Sequence, residues 1–269
     1  LFGAANIELI LKQKQYFCDR IIQMNKLLLP VLTLIAFSAI FFTSCKKSCD
    51  APAKTNLNLR FYPMSGNEEL VYNQEYTVNG RKLRFTRAQF YVSAVNLRKT
   101  DNTAATPEMP FALVHALETN YSVGLVDSGN YSFLEFAVGV DSATNHGDPN
   151  QWSATHPLYV NGTYSTYWTW SQGYVFIRLE GYVDTTAAAT GSANTGFAYH
   201  IGNDELLRMI YLPINKNIDG NETTIEIDVD YAKMLEDVDF RTELQNHSGL
   251  EEALTLKIAD NAAEAFTLR

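Results

Sequence analysis

From Leu57 onward the chain alternates apolar and polar residues with a period of two, and this period constrains the fold more than any other feature. Leu57, Leu59 and Phe61 alternate with Asn58, Arg60 and Tyr62. Residues two apart share a face on a strand but not on a helix, so such a run can bury one side only as a strand. Further strands are predicted over residues 82–85, 89–97, 111–115, 132–140, 175–182, 197–201, 208–212 and 223–229. Asp219-Gly220 is a turn signal, and the alternation of Ile225, Ile227 and Val229 behind it predicts a hairpin. The strands over 132–140, 175–182 and 223–229 are expected in antiparallel sheets, with Val175, Ile177 and Leu179 facing the core. Helical patterning comes late. Residues 231–238 form a short candidate, and 250–266 a better one, opened by Ser248 with Glu251 at capping-box spacing. Thr185–Thr195, rich in small residues, reads as an exposed, mobile loop. Many short strands with few helices predict an all-β fold: one antiparallel β-sandwich domain over 56–269 with a short C-terminal helical segment.

The N-terminal part has a different character. Met24-Asn25-Lys26 is a short basic start, Leu27 to Phe42 is almost continuously apolar, and Thr43-Ser44-Cys45 ends it with small residues. That order is the layout of a secretory signal. A cysteine at the cut predicts a bacterial lipoprotein signal over 24–44, with Cys45 lipidated as the first mature residue. The alternative is an uncleaved anchor, but the apolar core is short for a spanning helix and contains Pro30. Residues 1–23 precede the first methionine and read as an upstream extension of the gene model. Residues 45–55 read as a tether. The expected location is the bacterial cell envelope, on the periplasmic or cell-surface face of a membrane.

Charge and cysteine usage narrow the function classes. Without residues 1–44 the chain keeps 17 basic and 28 acidic side chains (21 less 4, and 30 less 2), a net of −11. That balance argues against nucleic acid as a partner. Of Cys18, Cys45 and Cys49, only Cys49 remains as a thiol once Cys45 is acylated, so neither a disulfide framework nor a cysteine metal cage is expected. The sequence contains no nucleophile elbow, P-loop, HExxH or dinucleotide fingerprint, and a non-enzymatic protein is expected.

The unusual segment is Tyr164–Tyr174, YSTYWTWSQGY, which holds Trp168 and Trp170. On an extended strand these two project side by side. Aromatic core packing would also explain such a run. His200 lies in FAYHIG, where Phe197, Tyr199 and Ile201 take one face and leave His200 on the other. His146 lies in the loop Asp141–Asn150, His247 precedes the C-terminal helix, and His156 precedes Pro157. Imidazole suits copper and zinc, although no two of these histidines fall at an i, i+2 or i, i+4 spacing.

Taken in order, FYVSAVNL (90–97), FAVGVDSATNHGD (136–148), YWTWSQGYVFIRLEG (167–181), FAYHIG (197–202) and LKIADNAAEAFTL (256–268) resemble the MbnP-like family. That family comprises exported copper-binding proteins named after a methanobactin-associated periplasmic protein, many of them lipoproteins. The resemblance implies a β-sandwich and a copper site built from histidines, in some relatives assisted by a tryptophan oxidised to kynurenine. Carried over by motif, the candidate ligands are His200, His146 and His247, with Trp168 and Trp170 lining the site or modified there. The W-x-H pair of some kynurenine-containing copper proteins is not present. A redox partner protein is implied if a tryptophan is oxidised, and the chain is expected to be a monomer. The alternative is a metal-free surface module that binds glycan or protein through the aromatic strip.

Overall fold

The computed structural model describes residues 53–169, 173–247 and 253–269. In one sheet, β1 (Lys54–Ser65) lies between β14 (Glu222–Asp230) and β7 (Asn120–Asp127). The small strands β2 (Glu68–Glu69) and β16 (Phe266–Leu268) pair with β1 and β14. The larger sheet runs β13 (Arg208–Ile218), β8 (Gly129–Val138), β4 (Arg81–Arg98), β11 (Ile177–Val183), β12 (Thr195–Ile201) and β15 (Gln245–His247). Three short strands also pair with β4: β3 (Tyr76–Val78), β5 (Ala104–Ala105) and β6 (Ala112–His115). A separate hairpin pairs β9 (Tyr167–Thr169) with β10 (Gly173–Tyr174). The fold is the all-β sandwich that the alternation predicts. Leu57, Leu59 and Phe61 of β1 are buried, and Phe61 meets Phe90 of β4 and Phe136 of β8 edge-on, so the core lies between the two sheets.

Strand β4 shows how a period-two pattern can hide one long strand. The sequence suggests two strands, 82–85 and 89–97, yet residues 81–98 are continuous. The positions buried on one face run Leu83 and Phe85, then Ala88, Phe90 and Val92, then Val95 and Leu97, while Gln89, Tyr91 and Ser93 are buried on the other. The phase slips by one residue at each break. Each slip is a bulge: one lies opposite Glu180 and Gly181 of β11, the other between Ser93 and Asn96 against β8, with Ala94 at φ +51°. A bulge adds one residue and so reverses which face later residues occupy.

Strand direction differs from expectation in two places. The Asp219-Gly220 turn forms, with Gly220 at φ +73°, but it does not close a hairpin. It carries the chain from β13 in the larger sheet to β14 in the smaller one. There β14 runs parallel to β1, from Asn56 opposite Glu222 to Met64 opposite Asp230. β15 likewise runs parallel to β12. Alternation marks the buried face of a strand but not its edge neighbour, so a turn signal between two alternating runs cannot distinguish pairing from a change of sheet. The 132–140 and 175–182 segments are antiparallel to their neighbours, as expected, with β8 and β11 as the observed strands. Ile177 and Leu179 are buried in the core as expected, whereas Val175 precedes β11 and, though buried, lies outside that core.

Smaller departures have local causes. β1 begins at Lys54, inside the expected tether, because Lys54 and Thr55 already pair with Asp127 and Val126. The late helices are Tyr231–Met234, capped by Asp230, and Ala253–Ala263. The second is followed by β16 rather than continuing to residue 266; Ser248 and its capping box lie outside the described residues. The 185–195 segment is tied down, with the buried Asp184 carboxylate accepting from the Thr186 and Gly191 backbone N–H groups. Among the described residues, no helix is long and apolar enough to cross a membrane.

Candidate metal centre

His200 sits on β12 on the face opposite the buried Phe197, Tyr199 and Ile201, as the alternation predicts. Across the ladder its register partner on β11 is Arg178, and Glu180 stands two residues further along the same face. His200 Nε2 lies 2.8 Å from Glu180 Oε1, which also accepts from Arg178 Nε at 2.6 Å. Arg87 Nε is 3.6 Å from the other Glu180 oxygen. The hydrogen bond from His200, with help from Arg178, lowers the Glu180 carboxyl to about 2. An ionised carboxylate can only accept, so Nε2 must carry the ring proton, and in the neutral imidazole the lone pair then lies on Nδ1. A carboxylate behind one imidazole nitrogen is the usual means of orienting a metal-ligating histidine.

The aromatic segment stands over this group. Trp168 packs edge-to-face on His200 with ring centroids 5.8 Å apart, and it is 41 % exposed. Its neighbour Tyr167 turns the other way onto Tyr174, which packs on the buried Tyr91. Several contacts fix the segment to the sandwich. Gln89 Nε2 donates to the Tyr164 carbonyl, Thr166 Oγ1 donates to the Val175 carbonyl, and the Tyr174 N–H donates to Asn145 Oδ1. Gly173 permits the last contact, since at φ +69° a Cβ there would lie 2.1 Å from Asn145 Oδ1. Together they form a surface pocket of about 230 Å³ lined by Ser165, Thr166, Tyr167, Trp168, Val175, Arg178 and His200. Tyr167 and Trp168 point to opposite sides because they are successive residues of the strand β9.

The other candidates are placed unequally. In backbone register, His247 on β15 is directly opposite His200 on β12. Trp170 lies outside the described residues, as does Cys45. His146 is elsewhere engaged: it ends the short helix Ser142–Asn145, and its Nε2 is 3.1 Å from Asp204 Oδ2. Asn145 donates to the other oxygen of the same carboxylate, so His146 fastens a loop rather than lining the Trp168–His200 pocket. Among the described residues, no group of three or more His, Cys, Asp or Glu side chains is placed to hold a metal ion. Of the three candidate histidines, His200 and His247 are therefore brought opposite one another in backbone register, and His146 is held apart from them on Asp204. Sequence reasoning missed Glu180 and Arg178. Their signal was available, since both alternate with Ile177 and Leu179 on the polar face of β11, but only the β11–β12 register brings Glu180 to His200.

The Glu180 carboxyl predicts an acid response. Its folded value lies below the ordinary 4.5, so its stabilising contribution is complete above about 4.5 and is lost as pH falls toward about 2. Denaturant titrations across that interval should show wild-type stability falling with acid more steeply than that of Glu180→Gln. Equal slopes would remove the carboxylate–imidazole pair as a source of stability.

The model of the family described as MbnP matches residues 54–251, nearly the whole sandwich and more than half of the chain. Among solved structures, "MbnP from Methylosinus trichosporium" is similar at 16 % identity and TM-score 0.50, over 75 % of this chain and 83 % of that one. No curated protein matches the chain. At that identity the likeness concerns the fold, while the family model carries the assignment: the chain belongs to the MbnP family.

Proposed function

We propose that this protein is a non-enzymatic, envelope-anchored lipoprotein that binds copper through His200 and His247, with Trp168 and Trp170 lining the site. The observation that carries this reading is His200: its ring is oriented by Glu180, covered by Trp168, and set in register with a second histidine position. Bound copper would supply redox or Lewis-acid character at that face. The protein's own groups orient the imidazole, hold Nε2 protonated and shield the ring from one side. His146, fixed on Asp204, acts by positioning the Asn145 contact to Tyr174 beneath the aromatic segment. The location follows the signal-like segment ending at Cys45, whose lipid would hold the domain at a membrane face.

The deciding experiment is metal analysis and membrane fractionation of protein purified from its own host, followed by copper titration of the apo-protein. Copper should be present in membrane-associated wild type. His200→Ala should lower affinity at least tenfold, and His146→Ala should change it far less. Copper-free host protein whose titration is indifferent to His200→Ala would defeat the reading. The 41 % exposed Trp168 would then mark a surface for glycan or protein recognition.

A further inference from the structure

A second groove, of about 340 Å³, lies on the other side of the Tyr164–Trp168 segment and shares only Ser165 with the His200 pocket. We propose that it binds an organic ammonium group, with the aromatic faces and one carboxylate as the recognition elements. The inference is independent of copper. Tyr121, Tyr159 and Tyr164 bring three aromatic rings to this groove, and Glu118, with Oε2 3.6 Å from His115 Nε2 and its side chain 57 % exposed, is the one acidic residue among its described lining residues. Among its described lining residues there is no lysine or arginine. Two imidazoles complete the wall.

His115 is buried and stacks on Tyr164 at 3.9 Å. Its Nδ1 has no hydrogen-bond partner among the described residues, and burial pushes its pKa down. His156 stacks on Trp152 at 4.0 Å, accepts from the Leu158 N–H at Nδ1, and is lowered for the same reason. The groove therefore presents one carboxylate, no lysine or arginine, and aromatic faces. Anionic ligands are disfavoured there. Cations with an apolar shell gain from the ring quadrupoles and from the carboxylate together, and quaternary ammonium groups use this chemistry. The volume lies within the usual range for small-ligand sites.

The test is calorimetric titration of the protein with choline and with tetramethylammonium, against glucose and acetate at matched ionic strength. Both ammonium ions should bind, and glucose and acetate should not. Glu118→Gln should weaken choline binding several-fold without lowering the melting temperature, because the Glu118 side chain is 57 % exposed. Tyr159→Leu should do the same, and if that variant fails to fold, Glu118→Gln alone decides. His200→Ala should leave choline binding unchanged, which separates this site from the copper reading. The proposal is overturned by an absence of ammonium binding, by glucose binding as tightly as choline, or by Glu118→Gln binding choline like wild type.

Discussion

Phe61→Ala should lower the stability of the domain by about 3–5 kcal/mol, the largest loss expected from any single truncation in the core. Phe61 projects from the middle of β1 and is 1 % exposed. Its ring meets Phe90 at 5.8 Å, Phe136 at 6.0 Å and Tyr121 at 6.0 Å, all edge-on or nearly so. Those partners belong to β4, β8 and β7, so one side chain ties the two sheets together. Truncation removes the transfer free energy of the ring and leaves a cavity that strands hydrogen-bonded on both sides cannot collapse to fill. Urea denaturation should show a lower midpoint with an unchanged slope. The exposed Val71→Ala serves as the control and should stay within about 0.5 kcal/mol. A Phe61→Ala loss below about 1 kcal/mol would mean that the sheets are not held together here.

Adding a single methyl at Gly181 should be about as damaging, for the opposite reason. A Cβ at this position would lie 2.1 Å from the Arg84 carbonyl oxygen and 2.8 Å from the Phe197 ring. The oxygen is backbone in the middle of the larger sheet, so it cannot swing aside as a long side chain would. Gly181→Ala must push β11 away from β4 at the bulge, and the cost should reach or exceed about 3 kcal/mol, the upper part of the overpacking range. The adjacent residue is Glu180, so the same displacement should disturb the His200 pair as well. Gly196→Ala is the matched control, since the nearest atom to its Cβ is 4.0 Å away and ordinary contact results. Equal melting temperatures for the two variants would contradict the close approach of β4 and β11.

Much of the candidate site follows from the sequence because one periodicity governs it. In FAYHIG the alternation puts His200 on the polar face, and in VFIRLEG it puts Arg178 and Glu180 on a polar face as well. Which residue of one polar face meets which residue of another depends on register. Register is set by the bulge in β4 opposite Gly181, which the strand glycine marks, and by the pairing of β11 with β12, which leaves no mark in local composition. His146 illustrates the limit. Its N-H-x-D context resembles the family pattern, yet Asp204, 58 residues away, holds it. No spacing rule connects two loops at that separation.

The sequence by itself determined the class of fold, the buried residues of most strands and the face that carries His200. All three depend on the period of side chains along one strand, a property of the local backbone. Tertiary structure decided the rest: the parallel pairing of β1 with β14, the single strand β4, the change of sheet at Gly220 and the carboxylate behind His200. These depend on which strand edge finds which neighbour. That choice is made by burial of whole sheet faces and by close approaches such as the one at Gly181, between residues far apart in the chain.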